Sequence, residues 1–261
     1  MSDDVKPYAY TDEGTVSMQF DMSVIQSRMR LDDPTALDLQ YTQVMMGFVL
    51  LNAAPASLLM IGLGGGSLVK YCHKHFPQMD ITVVEINPHV IAMRDAFMVP
   101  PDGPRFRVVC GDGAAFVSQA AGAGYEVILV DGFSYDGQPE VLCSVAFYKA
   151  CRAALSTSGI LAVNLSDKEP ECSRLMGRIW QVFGEPVVAL EVACGGNRIA
   201  MASTVEVFRA CAADFGSRWA ALSEDVRATL GTTTQGLEEE LKLWRPAALP
   251  KLSKSGKSRR R

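Results

Sequence analysis

The sequence predicts an α/β fold built on a doubly wound, mostly parallel, seven-stranded sheet. Three observations carry that expectation. Short apolar runs alternate with helix-patterned stretches between residues 57 and 164, at the spacing of βαβ units, whose crossovers lay parallel strands side by side. A glycine-rich turn, Gly62-Leu-Gly-Gly-Gly66, directly follows the first of these runs. Two last apolar runs, 186–192 and 198–202, flank the tight-turn sequence Cys194-Gly-Gly-Asn197, so the sheet closes on a hairpin with an antiparallel last strand. A parallel sheet that ends this way is Rossmann-like but of the methyltransferase type, not the dehydrogenase type.

The elements follow in order. Residues 15–26 alternate apolar and polar side chains with period two and predict a small β-hairpin region, broken at Asp32-Asp33-Pro34. From 36 to 51 the spacing of Leu37, Tyr41, Val44, Met45, Phe48 and Leu51 is helical. The strands are 57–61, 80–85, 106–110, 126–131 and 159–164, and the helices between them are 67–75, one starting at Pro88, 114–121 and 144–155. Residues 203–246 read as two or three helices over the sheet edge. The domains expected are a small β region over 1–35, the α/β domain over 36–246 and a basic, disordered tail over 247–261.

Composition narrows the function. With 261 residues and 48% hydrophobic content the chain can build one large core plus a small appendage. No apolar run approaches the ~20 residues that span a bilayer, so no membrane is expected. The start, MSDDVKPYAY, lacks the basic-then-apolar order of a signal peptide, and seven scattered cysteines without a CxxC pair read as reduced core residues. Both features point to the cytoplasm. Cys72-His73-Lys74-His75 has no second ligand cluster at metal spacing, so no metal is expected. The net charge is −4, yet the last eleven residues, KLSKSGKSRRR, carry six positive charges, so the body is more acidic still. That body argues against nucleic acid as a partner, apart from the tail, and suits a cationic substrate.

Candidate site residues stand at the carboxyl ends of the strands, where open α/β sheets bind ligands. Gly62, Gly64 and Gly66 allow a tight strand-to-helix turn and a close approach of backbone to ligand. Glu85, about 20 residues further on and followed by Ile86, sits where an acid accepts both hydroxyl hydrogens of a ribose. A solvent-facing carboxylate is the plainer alternative there. Asp112 with Gly113 suits an adenine amino group and backbone contact with the base, or an ordinary turn or helix cap. Asp131 ends the fourth strand at the central crossover, and Asp136 follows in a loop with an aromatic, Gly and Pro. An amine has a pKa of about 10 and is protonated at neutral pH. A carboxylate beside it can bind the ammonium and take its proton as the nucleophile forms.

The runs MIGLGGGSL, TVVEINPHVI, VVCGDGAAF and VILVDGFSYDGQP, with IQSRMRLDD and QYTQVM ahead of them, resemble the spermidine synthase (aminopropyltransferase) family over roughly residues 15–205. The resemblance implies transfer of the aminopropyl group of decarboxylated S-adenosylmethionine to putrescine, releasing methylthioadenosine, in a homodimer. It implies that Gln26 touches the nucleoside and Tyr41 the amine, that Glu85 holds the ribose and Asp112 with Gly113 the adenine, and that Asp131 is the acid-base residue. Two departures stand out. The family's loop aspartate, which binds the donor's terminal amine, is replaced by Gly65, and Asp136 matches the family's second loop aspartate only across an insertion. A methyltransferase using intact S-adenosylmethionine, or a catalytically silent nucleoside-binding homologue, is the alternative.

Overall fold

The computed structural model describes residues 5–21, 25–134, 137–194 and 196–243. Nearest the N-terminus, β1 (Tyr8–Asp12), β2 (Thr15–Gln19) and β3 (Ile25–Arg30) form a three-stranded antiparallel sheet. The hairpin expected from the alternation at 15–26 therefore gains a third strand, the exposed β1. Val16, Met18 and Met29 are buried beneath β2 and β3, in line with the period-two pattern.

The central sheet is β4 (Ser57–Ile61), β5 (Asp80–Glu85), β6 (Phe106–Cys110), β7 (Tyr125–Val130), β8 (Leu155–Ser166), β9 (Val187–Glu191) and β10 (Asn197–Ala202). Its order is β6-β5-β4-β7-β8-β10-β9. β10 runs antiparallel to both of its neighbours, and the other pairs are parallel. Alternate residues of each central strand enter opposite cores. Leu58, Met60, Val127 and Leu129 join one, and Leu59, Ile61, Ile128 and Val130 the other. Burial on both faces is why these strands read as unbroken apolar runs.

One face is covered by α1 (Gln40–Met45), α2 (Phe48–Leu51), α3 (Ser67–His75), α8 (Val205–Ala221) and α9 (Glu224–Leu243). On the other lie α5 (Gly113–Gln119), α6 (Val145–Ala154) and α7 (Glu171–Phe183), while α4 (Pro88–Ile91) is a single turn after β5. The helix expected over 36–51 starts later and breaks at Met46-Gly47. A Cβ on Gly47 would stand 2.9 Å from the tip of the Met201 side chain of β10 and 3.1 Å from the Val44 carbonyl, so the bend is closely packed. The sequence reading also passed over α7, although Cys172, Leu175, Met176, Ile179, Val182 and Phe183 form a buried stripe at helical spacing. No helix among the described residues is long and apolar enough to cross a membrane. The basic tail, 247–261, lies outside the described residues.

Candidate active site

The turn after β4 is built by close contact. Gly62 has φ +93°, and its N–H donates to the Val84 carbonyl at 2.9 Å. A Cβ there would stand 2.3 Å from the Asp131 backbone oxygen, so only glycine lets this turn pass Asp131. Gly66, at φ +70°, is the N-cap of α3, and a Cβ on it would press into Val99 at 2.6 Å. Gly113 lies similarly tight on Ile61.

Glu85 is 7% exposed, which removes the solvent-facing alternative. One carboxylate oxygen accepts from the Leu63 N–H at 2.8 Å, and the other from the Asn87 N–H at 2.9 Å. Burial raises its pKa, while backbone N–H donors oppose the rise. Glu85 therefore ties the glycine turn to the loop after β5, and the backbone N–H groups of Gly64 and Ile86 face its carboxylate as well. Next to it Ile86 is 43% exposed, an apolar side chain turned to the surface beside a buried acid. Asp112 caps α5: one oxygen accepts from Ala114 N–H at 2.7 Å and from Ala115 N–H at 3.1 Å. The cap alternative is thus what the geometry shows for that oxygen.

Gln26 is half-buried on β3, one residue from Ser27, which lies over the glycine turn. At Gly65 a Cβ would meet the Phe97 ring and the Ser27 hydroxyl, each at 2.7 Å. The space of the missing loop aspartate is therefore filled by these two side chains.

Asp131 gathers the second half of the site. Tyr41 Oη, from α1, donates to its Oδ2 at 3.0 Å, and Asn164 Nδ2, from β8, donates to its Oδ1 at 2.8 Å. Asn197 Nδ2 in turn donates to Asn164 Oδ1 at 2.9 Å, and Gln138 Nε2 to the Asn164 carbonyl at 2.8 Å. The residue keeps some exposed surface, but its carboxyl is enclosed, and burial raises its pKa against the pull of Asn164 and Tyr41. Burial and the neighbouring carboxylate push Tyr41 well above the ordinary phenol, so it stays a donor. A carboxylate with a raised pKa, one donor per oxygen and a remaining lone pair is equipped to accept a proton. Asp136 lies outside the described residues.

The structure thus sets the glycine turn, Glu85, Asp112 and Asp131 at the carboxyl ends of neighbouring strands, with Tyr41 of α1 bonded to Asp131. Sequence reasoning missed Asn164, Asn197 and Gln138. A signal existed for Asn164: it is the polar end of an apolar strand next to that of Asp131, the same position that singled out Glu85.

The sheet order and the antiparallel β10 define a Rossmann-like domain of methyltransferase type. The spermine/spermidine synthase domain matches residues 38–179. A polyamine aminopropyltransferase of Chromobacterium violaceum is 37% identical over 194 residues, which are 74% of this chain and 74% of that one. Among solved structures, a probable spermidine synthase from Corynebacterium glutamicum superposes with TM-score 0.66 at 19% identity, over 87% of this chain and 91% of that one. Human methyltransferase-like protein 13, solved in complex with SAH, superposes with TM-score 0.58 at 22% identity, over 83% of this chain and 97% of that one. The chain belongs to the spermine/spermidine synthase family, which is a family of transferases.

Proposed function

We propose that the protein moves the aminopropyl group of decarboxylated S-adenosylmethionine to a polyamine acceptor such as putrescine, with Asp131 as the acid-base residue. The observation that carries this reading is the Tyr41–Asp131–Asn164 cluster, set against the glycine turn through Gly62. The residues present suit the donor nucleoside. Glu85 ends its strand where an acid can turn toward ribose hydroxyls, Ile86 offers an apolar surface to a base, and Gln26 is one residue from Ser27, which lies over the glycine turn. Tyr41 and Asp136 would contact the amine.

In this reading the acceptor's ammonium gives a proton to the Asp131 carboxylate. The freed nitrogen lone pair attacks the carbon beside the sulfonium, the N–C bond forms and the C–S bond breaks. The electron pair of the broken bond stays on sulfur, so methylthioadenosine leaves as a neutral thioether. A raised pKa strengthens Asp131 as the acceptor of that proton. The same resemblance implies a homodimer acting on a small-molecule amine, and the scattered cysteines and polar start suit the cytoplasm.

One observation favours a second reading, methyl transfer from intact S-adenosylmethionine. At Gly65 no carboxylate stands to repel that of the donor. The test is product analysis with each donor, with and without putrescine. Methylthioadenosine that forms only with the decarboxylated donor and an amine supports aminopropyl transfer. S-adenosylhomocysteine formed from the intact donor sinks it in favour of methyl transfer.

A further inference from the structure

Asn164 is 2% exposed and both ends of its side-chain amide are engaged, the nitrogen by Asp131 and the oxygen by Asn197. Turning that amide over would set its carbonyl against Asp131 and its NH2 against the NH2 of Asn197. With Asn197 donating, the two ends therefore favour one orientation, in which a donor faces Asp131. Tyr41 cannot impose the same choice. Its hydroxyl donates to a carboxylate, but by rotating it can accept from a protonated acid just as well.

The groups that face Asp131 among the described residues are Tyr41 from α1, Asn164 from β8 and the backbone of Gly62 from the glycine turn. Of these Tyr41 alone titrates. On the hairpin side, Asp167 lies by Gly196, and Arg198 is engaged by Glu191 and Glu169. The elements carrying the two partners are themselves joined. Gln40, at the start of α1, accepts through Oε1 from the Cys194 N–H in the β9–β10 turn at 3.1 Å.

We propose that Asn197 is a positioning residue for Asp131: by occupying the Asn164 carbonyl it holds that amide with its donor toward Asp131, and so keeps the acid as a carboxylate. This rests on the reading of Asp131 as the proton acceptor. In Asn197→Ala the Asn164 oxygen is left buried without a donor, and a turned amide then gains by accepting from protonated Asp131. The ionised form loses its advantage, and the Asp131 pKa moves up.

The first test needs no activity. Thermal unfolding of parent, Asn197→Ala, Asp131→Asn and the double variant is followed at about pH 4 and about pH 8. A folded pKa raised further costs stability as pH rises through it. The loss from Asn197→Ala is therefore expected to be larger at the higher pH, and its pH dependence to vanish in the Asp131→Asn background. An equal loss at both pH values and in both backgrounds makes Asn197 a staple of the hairpin and overturns the proposal. Should Asn197→Ala not fold, the near-isosteric Asn197→Leu carries the same comparison, because it fills the volume, offers the Asn164 amide oxygen no donor and adds no titrating group. In the transfer assay the acid limb of kcat/KM should move up by about one pH unit, the scale of a lost hydrogen bond to a carboxylate, with the donor KM unchanged. A limb that stays in place speaks against the proposal. If the parent transfers no group at all, the functional reading fails, while the unfolding cycle still decides the role of Asn197.

Discussion

Gly62 and Asp131 are locked back to back: the Asp131 N–H donates to the Ile61 carbonyl at 2.9 Å, and the Asp131 carbonyl fills the place where a side chain on Gly62 would begin. The glycine turn and the acid are thus held together as one piece. Gly62→Ala combines a left-handed φ with a contact to backbone that cannot move aside. It should cost roughly 2–5 kcal/mol, from overpacking plus strain. Urea denaturation checks this, and an unchanged midpoint would show that the turn can relax away from Asp131.

Asp131→Asn keeps the shape but cannot take up a proton, so turnover should fall ~100-fold or more while nucleoside affinity changes little. Single-turnover rates and a methylthioadenosine titration separate the two effects. Retained turnover would move the base elsewhere, with Asp136 the first residue to replace.

The same substitution has a signature in stability. The folded pKa of Asp131 is raised above its value in the unfolded chain, so folding favours the protonated form. The contribution of the group is full below the unfolded value near 3.8 and is lost as pH rises through the folded value. Melting curves should therefore show the gap between Asp131→Asn and parent shifting toward the variant as pH rises through that window, then levelling. A gap that moves the other way would mean that Asn164 and Tyr41 outweigh burial.

Glu85→Ala removes the acceptor of two backbone N–H groups as well as the proposed ribose contact. Methylthioadenosine binding should weaken by a few kcal/mol, the scale of charge-assisted hydrogen bonds. Stability should also drop, by roughly 1–3 kcal/mol for each buried N–H left unpaired. Calorimetry on protein shown to be folded decides the first point. Undiminished affinity there places the ribose elsewhere.

Gly65→Asp, which returns the family's loop acid, cannot enter freely, because Phe97 and Ser27 occupy its path. Alone it should destabilise by roughly 1–3 kcal/mol, as an overpacked site does. Combined with Phe97→Leu it should recover part of that loss and favour decarboxylated over intact S-adenosylmethionine. Dissociation constants for both donors, on parent and double variant, test the specificity. A ratio that does not change would show that another residue reads the donor's tail.

The strands and the glycine turn are legible in the sequence because two-sided burial leaves unbroken apolar runs, and because a left-handed turn demands glycine. Glu85 and Asp131 stand out as acids that end such runs, and the structure joins Tyr41 to Asp131 by a direct bond. The amide relay is harder to see. Asparagine is common in turns and strand ends, so Asn164 is marked only by its place at the end of an apolar run and nothing local marks Asn197, and their bond spans 33 residues of chain. Asp112 shows the opposite problem, since the residue type that would meet an adenine is also the one that caps a helix. The long α7 went unread even though its stripe is regular, its polar face interrupting an otherwise strand-like region.

The placement of β10 between β8 and β9 has a consequence for biosynthesis. Until Asn197–Ala202 leaves the ribosome, β8 presents an open edge over residues 161–166, of which Leu161 to Leu165 are buried in the finished sheet. A nascent chain at that stage carries an apolar template for pairing with other chains. Products cut short before residue 197 are expected to aggregate rather than fold into a smaller domain. The strand that completes the sheet also carries Asn197, the residue that donates to the Asn164 amide oxygen.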